Sequence, residues 1–139
     1  MASERATDTT VAADDAVLRA MVDGYRQAFE ARDLAGCMGF FADDAVVRFL
    51  IGSYQGRQAI EDWHQDRFKA EVQILRVEGV SVDPPRVAVH AVVTSRRLKQ
   101  FRIGEVKGTL TFRIEEGRFK EAVLAPRRGV PSHLDWQFQ

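Results

Sequence analysis

The sequence predicts a single α+β domain, with helices in its first half and an antiparallel sheet in its second half. Apolar residues recur at helical spacing from residue 14 to about residue 70, and at a period of two after about residue 71. The chain has 139 residues, the length of one ordinary domain. We expect the ordered domain to span residues 14–126, with a disordered, unpatterned segment at 1–13 and a tail at 127–139.

Three helices are predicted in the first half. The first begins at Asp14, which can cap it, and ends near Asp33. A short second helix covers residues 34–42, and the third covers residues 56–70. The apolar stripe of the third helix is formed by Ile60, Trp63, His64, Arg67 and Phe68.

Strands account for most of the remaining chain. Residues 45–50 are predicted to form a first strand, followed by a turn or short hairpin at 52–56. Glycines at 79 and 108 indicate bulges or strong curvature, and residues 99–104 are expected to form a basic hairpin tip. Four long candidates rich in valine and isoleucine make up the main sheet, at residues 72–82, 86–97, 105–114 and 118–124.

The composition excludes several classes of function. Twenty basic and twenty acidic side chains give a net charge of zero, whereas nucleic-acid binders usually carry a basic excess. One cysteine and three histidines on unrelated elements give no metal-ligand spacing, so no metal or other cofactor is expected. No apolar stretch approaches the ~20 residues of a membrane span. The polar first residues have no apolar core typical of a secretory signal, and we expect a cytoplasmic protein.

The order of these elements resembles that of the nuclear transport factor 2-like superfamily, in its SnoaL-like and ketosteroid-isomerase-like branch. The resemblance is carried by YRQAFEARDLAGCMGFFADDAVVRFL at residues 25–50, and by Gly56, Arg57, Ala59 and Ile60 at the start of the third helix. It extends over residues 14–126. It implies a cone-shaped, curved antiparallel sheet wrapped around the three helices (a cystatin-like roll), an apolar pocket at the open end, and a homodimer formed through the convex face.

The resemblance also implies where catalytic groups would lie. In the isomerase branch, a tyrosine of the first helix contributes to the oxyanion hole, and Tyr25 stands at that position. The positions of the catalytic base and of a second acid hold Phe49 and Leu110. Because general-base catalysis supplies about 10²–10⁴ in rate, we do not expect steroid isomerisation by that branch's route.

Alternation along the strands predicts the pocket wall. Val93, Leu110 and Phe112 share the apolar faces of their strands. His90 lies on the opposite face, although a slip of register at a bulge would turn it inward. Such a wall suits a flat, mostly hydrocarbon ligand. The aromatic part of the predicted wall consists of Tyr25, Phe41, Phe49, Trp63 and Phe68.

Tyr25 and His64 are the candidate catalytic residues. Each lies on the buried stripe of its helix, and the resemblance places a hydrogen-bond partner of the pocket tyrosine at His64. Pairing would satisfy two buried polar groups, so the pair is either purely structural or a functional unit. In the functional unit Tyr25 donates to a ligand carbonyl or hydroxyl, and His64 orients Tyr25 or moves a proton. Cys37 is expected to be a buried hydrophobe, and Asp43 and Asp44 to form turn hydrogen bonds.

Two functions remain open from the sequence. The first is a SnoaL-like protein that binds an apolar or polycyclic small molecule; if it is an enzyme, it is a cofactor-independent isomerase, cyclase or dehydratase. The alternative is a non-catalytic homodimeric scaffold that binds a ligand or a protein. The surface expected at the two-fold axis consists of His90, Thr94, Lys107, Thr109, Thr111 and Arg113.

Overall fold

The computed structural model describes residues 2–49 and 52–126, which form six strands and four helices. The helices are α1 (Ala2–Glu30), α2 (Leu34–Met38), α3 (Arg57–Lys69) and α4 (Arg96–Gln100). The strands are β1 (Phe41–Phe49), β2 (Gly52–Gln55), β3 (Gln73–Asp83), β4 (Arg86–Thr94), β5 (Val106–Glu115) and β6 (Arg118–Pro126). The tail at 127–139, with His133, lies outside the described residues. No described helix is long and apolar enough to cross a membrane.

The strands form one curved, unclosed sheet in the order β2-β1-β6-β5-β4-β3. The predicted α+β class, the four long strands and the short hairpin of β1 and β2 are confirmed. The expectation of a wholly antiparallel sheet is wrong at one place, because β1 and β6 pair in parallel. Hairpin spacing dictates antiparallel pairing between consecutive strands, but β1 and β6 are separated by most of the domain, so their direction is free of that constraint.

The long helix α1 begins at Ala2, and its apolar period begins at Asp14. The end of α1 lies near the predicted position. Arg32 adopts a left-handed φ of 56°, and the side chain of Asp33 accepts a hydrogen bond from the Gly36 backbone N–H at 3.0 Å, capping α2.

The longer, basic hairpin tip expected at 99–104 joins the antiparallel strands β4 and β5, and the helical turn α4 forms its first part. Ser95 caps α4 by accepting a hydrogen bond from the Leu98 backbone N–H at 3.2 Å, and the residues of α4 are good helix formers. The hydroxyl of Thr94 donates to the Gly104 carbonyl and ties the segment to the end of β4. The cationic side chains of α4 are therefore held at the end of the sheet where β4 ends.

The core lies between the inner face of the sheet and the two helices α1 and α3. Aromatic rings dominate its centre, where Tyr25 packs edge-on against Phe41, Phe112 and Phe119 at centroid distances of 5.5–5.6 Å. In β3 the register shifts between Val77 and Gly79, as the glycine predicted, and it also shifts between Ile74 and Arg76. These rings close one end of the curved sheet and leave the other end open.

Candidate functional site

A cavity of about 630 Å³ occupies the open end of the sheet. Its wall is built from α1, α3, the end of β1, the four long strands and α4, and most of it is apolar. Half-buried strand residues face it because the curved sheet leaves their side chains uncovered by a helix. The apolar part of this wall includes Val22, Tyr25, Phe29, Phe49, Trp63, Val72, Ile74, Val77, Val80, Val89, Ala91, Val93, Leu98, Val106, Leu110, Phe112 and Leu124.

The structure brings six of the nine predicted site residues to this cavity. They are Tyr25, Phe49, Trp63, Val93, Leu110 and Phe112. The aromatic rings among them border the space and leave it unfilled, so a small molecule has room to enter.

Phe41, Phe68 and His64 lie outside the cavity wall. Phe41 is 2% exposed and packs beneath it against Tyr25, and Phe68 packs on Phe29 with the Arg32 guanidinium 5.9 Å from its ring centre. His64 is fully buried. Helical and strand periods predict which way a side chain faces, but not which layer of the interior it reaches.

Tyr25 and His64 form the predicted contact, but the expectation that they meet inside the pocket is wrong for His64, which lies behind Tyr25 and does not line the cavity. The Tyr25 hydroxyl lies 2.7 Å from His64 Nε2, and His64 Nδ1 lies 2.8 Å from the Ile60 carbonyl oxygen. Since a carbonyl only accepts, Nδ1 carries a proton and donates it to Ile60. In the neutral imidazole Nε2 is then an acceptor, so the Tyr25 hydroxyl donates to His64. The proton that a ligand would require from Tyr25 is thus already engaged.

Burial keeps both members of this pair uncharged. Desolvation raises the pKa of Tyr25 well above its usual value, and desolvation lowers the pKa of His64 although the hydrogen bond to Ile60 acts in the opposite direction. Near neutral pH the phenol therefore keeps its proton and the imidazole stays neutral. The arrangement is a stable donor–acceptor pair whose tyrosine borders the cavity.

Two further groups of α3 border the cavity with unsatisfied donors. The indole Nε1–H of Trp63 and the Nε–H of Arg67 are both buried, and neither has a hydrogen-bond partner in the part of the chain that the structure describes. The Arg67 guanidinium lies 4.7 Å from the ring centre of Phe49 and 5.6 Å from that of Trp63. A buried donor without an acceptor costs about 1–3 kcal/mol, so this corner is suited to a ligand acceptor.

Sequence reasoning placed Arg67 on the buried stripe of the third helix but did not select it as a site residue. The available signal was its charge, because a cation on an otherwise apolar stripe requires a partner. The helices and strands that pack beside the third helix decide whether the chain itself supplies a partner for the cation. In the structure, no described carboxylate lies within ion-pair distance of Arg67.

Charges on the cavity wall are mainly positive. Arg19 pairs with Asp15 at 2.8 Å, and Arg26 pairs with Asp23 at 2.6 Å. Asp23 is the one carboxylate among the lining residues, and hydrogen bonds from Arg26 and Gln27 lower its pKa. It is exposed and neutralised, so it does not resemble a buried general base. The charged lining residues together are Arg19, Asp23, Arg26, Arg67, Arg97 and Lys107.

Other candidate residues lie away from the cavity. Asp43 and Asp44 belong to β1 instead of the expected turn, are 93% and 76% exposed, and pair with Arg57 and Lys120 respectively. Cys37 is fully buried, as predicted, and burial raises its pKa to about 12. Within the described ranges, no three His, Cys, Asp or Glu side chains are grouped as metal ligands.

The outer face of the sheet carries part of the predicted interface. His90 is half-buried there and its Nδ1 lies 3.0 Å from Thr109 Oγ1. Thr94 is different, because it is 1% exposed and bonds to Gly104, and Lys107 borders the cavity. The bend and the helical turn after β4 draw these two residues away from the surface that strict alternation predicted.

The sequence model of the SnoaL-like domain matches residues 22–122, from α1 to β6. The chain belongs to the SnoaL-like family. The match covers both walls of the cavity, including the helix pair that holds Tyr25 and His64. It also confirms the resemblance to the nuclear transport factor 2-like superfamily.

Solved structures share this SnoaL-like fold. A candidate polyketide cyclase from Sinorhizobium meliloti has 27% identity and a TM-score of 0.68, with 76% of this chain and 93% of that chain covered. A Mycobacterium tuberculosis protein in complex with estradiol-17β-hemisuccinate has 19% identity, a TM-score of 0.66 and coverages of 81% and 95%. TerC, co-crystallised with polyporic acid, has 11% identity, a TM-score of 0.68 and coverages of 88% and 97%. No curated protein matches the chain significantly.

Proposed function

We propose that this protein binds a flat, largely hydrocarbon, polycyclic small molecule in its cavity. The observation that carries the proposal is the volume of about 630 Å³ enclosed by an apolar wall with four aromatic side chains of the predicted site, Tyr25, Phe49, Trp63 and Phe112. Ligand pockets of proteins measure about 300–1,000 Å³ and are mainly apolar. Removing apolar ligand surface from water contributes about 25 cal/mol per Å², which is the driving force for binding here.

Two proteins of the same fold support this proposal through the ligands that they hold, a steroid ester in one case and polyporic acid in the other. At sequence identities of 19% and 11%, the likeness to these two proteins shows a shared fold alone. The argument for a polycyclic ligand in this chain comes from its own cavity.

A saturable fluorescent probe tests the proposal. 1-Pyrenebutanol is neutral and polycyclic, and we expect it to bind with one-to-one stoichiometry and a blue-shifted, less water-like emission. Ala91→Phe, whose ring enters the cavity, should weaken binding at least about tenfold. Ser53→Phe is the control, since Ser53 is exposed on β2 and lines neither the cavity nor the proposed pairing strip. Absence of saturable binding to the unaltered protein, or equal binding by both variants, would contradict the proposal.

A second candidate function is proton-transfer catalysis on the bound ligand, and the hydrogen bond between Tyr25 and His64 favours it. Tyr25 would take a proton from a ligand C–H or O–H at its oxygen while giving its own proton to His64 Nε2, leaving a ligand anion and an imidazolium. Reversal at another ligand atom completes an isomerisation. In a dehydration the ligand anion expels a hydroxyl group, which takes the returned proton and leaves as water. In a cyclisation the anion bonds to a ligand carbonyl carbon, and the carbonyl oxygen takes the returned proton. No cofactor enters this scheme. Substrate-dependent turnover that Tyr25→Phe abolishes, with probe binding retained, would support this candidate over simple binding.

We also propose that two copies pair through the convex face of the sheet. The residues that support this pairing are His90, Thr109, Thr111 and Arg113, which form a polar, half-buried strip across β4 and β5. Sedimentation at micromolar concentration should give a dimer, Thr111→Arg should give a monomer, and Ser53→Arg on the short strand β2 should remain dimeric. A monomeric unaltered protein would refute the pairing.

A further inference from the structure

We infer that the ligand of the cavity carries an ionised oxygen acid, such as a carboxylate or an ionised enol, held by Arg67 and Trp63. This inference rests on the proposed function and adds the chemical class of the ligand. The starting observation is that α3 has two buried hydrogen-bond donors without an acceptor among the described residues. They are Nε–H of Arg67 and Nε1–H of Trp63.

Arg67 of α3 differs from the two arginines that α1 contributes to the cavity. Arg19 and Arg26 have carboxylate partners at 2.8 and 2.6 Å, whereas Arg67 is in contact with the aromatic rings of Phe49 and Trp63. A guanidinium on an aromatic face gains cation–π attraction but no hydrogen bond. The planar fork of Arg67 is therefore held in place beside an apolar space, and its Nε–H has no acceptor among the described residues.

Trp63 supplies the second donor from the same side of the helix. Residues four apart in an α-helix are neighbours on one face, which places Trp63 beside Arg67. Trp63 is 7% exposed, and its indole N–H has no water-facing surface to satisfy it. Two adjacent donors that both lack acceptors require a group rich in lone pairs.

An ionised oxygen acid meets this requirement better than a neutral group. A carboxylate offers two oxygens and no donor, matches the guanidinium fork, and forms shorter, stronger hydrogen bonds when its partner is charged. The charged members of the wall support the same sign, and they are Arg19, Arg26, Arg67, Arg97, Lys107 and Asp23. Arg19, Arg26 and Lys107 have carboxylate partners, so Arg67 and Arg97 are the lining cations without an ion pair to a described residue. An anionic group would neutralise charge there, whereas a cationic ligand would add to it. The apolar body of the ligand fills the remaining cavity.

Two probes that differ only in their terminal group test the inference. 1-Pyrenebutyrate and 1-pyrenebutanol have the same ring system and chain, and both are titrated at pH 7.5 into the full-length protein. We expect the acid to bind roughly 10- to 100-fold more tightly than the alcohol, the ratio typical of a charge-assisted hydrogen bond. Arg67→Gln should remove this preference, because the acid should lose far more affinity than the alcohol. Trp63→Phe should reduce the preference by a smaller factor.

Controls separate charge, folding and binding. Arg48→Gln removes one positive charge at an exposed position outside the cavity and should leave the preference intact. If Arg67→Gln fails to fold, Arg67→Lys decides, because it keeps the charge without the fork and should give an intermediate preference. Three results would overturn the inference and leave the proposed function standing. The first is equal affinity of the unaltered protein for the two probes, and the second is an equal loss of affinity for the two probes in Arg67→Gln. The third is an unchanged preference for the acid in Arg67→Lys. Failure of both probes to bind would overturn the proposed function and the inference with it.

Discussion

Separating Tyr25 from His64 should destabilise the protein in a strongly non-additive way. Tyr25→Phe leaves Nε2 of a fully buried imidazole without its donor, and His64→Leu leaves the Tyr25 hydroxyl without its acceptor at a 2.7 Å contact. Each single change should lower the free energy of unfolding by about 1–3 kcal/mol. The double variant removes both partners, so it should be less destabilised than the sum of the two by about 0.5–3 kcal/mol.

Urea unfolding followed by circular dichroism measures the three variants. An unchanged dependence of the unfolding free energy on urea would show that the two-state comparison is sound. For a domain of this length, each 1 kcal/mol corresponds to a shift of about 4 °C in melting temperature. Additive losses, with no coupling between Tyr25 and His64, would refute the reasoning that the pair exists because each member satisfies the other.

The pair also predicts the pH dependence of stability. Desolvation lowers the pKa of His64 in the folded state below its ordinary value near 6.5. The unfolded chain therefore binds more protons than the folded one as the pH falls below about 6.5, and stability is lost progressively in that range. His64→Leu should flatten this acid limb relative to the unaltered protein. An unchanged limb in the variant would mean that His64 is not the group responsible.

Two substitutions and one thiol-labelling experiment test the fold and the cavity. Phe112→Ala removes a 1% exposed ring from the cavity wall and should lower the free energy of unfolding by about 3–5 kcal/mol in urea titrations. Gly56→Ala places a side chain at a φ of 88° before α3 and should cost about 1–3 kcal/mol by the same measurement, although no atom lies in its way. The thiol of Cys37, fully buried with its pKa raised to about 12, should react with a thiol reagent only in denaturant, and fast reaction of the native protein would contradict its placement.

Local pattern was sufficient to predict much of this molecule. The period of two in β4 and β5 directs Val93, Leu110 and Phe112 toward the cavity, because a strand buries one face whatever lies opposite it. The stripe of α1 places Tyr25 inward for the same reason. Family resemblance over a long, ordered set of motifs predicted the curved sheet around the helices.

Tertiary structure decided the remaining features. The parallel pairing of β1 with β6 joins strands far apart in the chain, and no local period encodes it. The depth of a side chain also depends on what packs over it, which places Phe41 below the cavity floor and leaves His64 behind Tyr25. The role of Arg67 depends on the absence of a described carboxylate nearby, a property of neighbouring elements. The sequence by itself determined which residues face inward, whereas long-range packing determined which of them a ligand can reach.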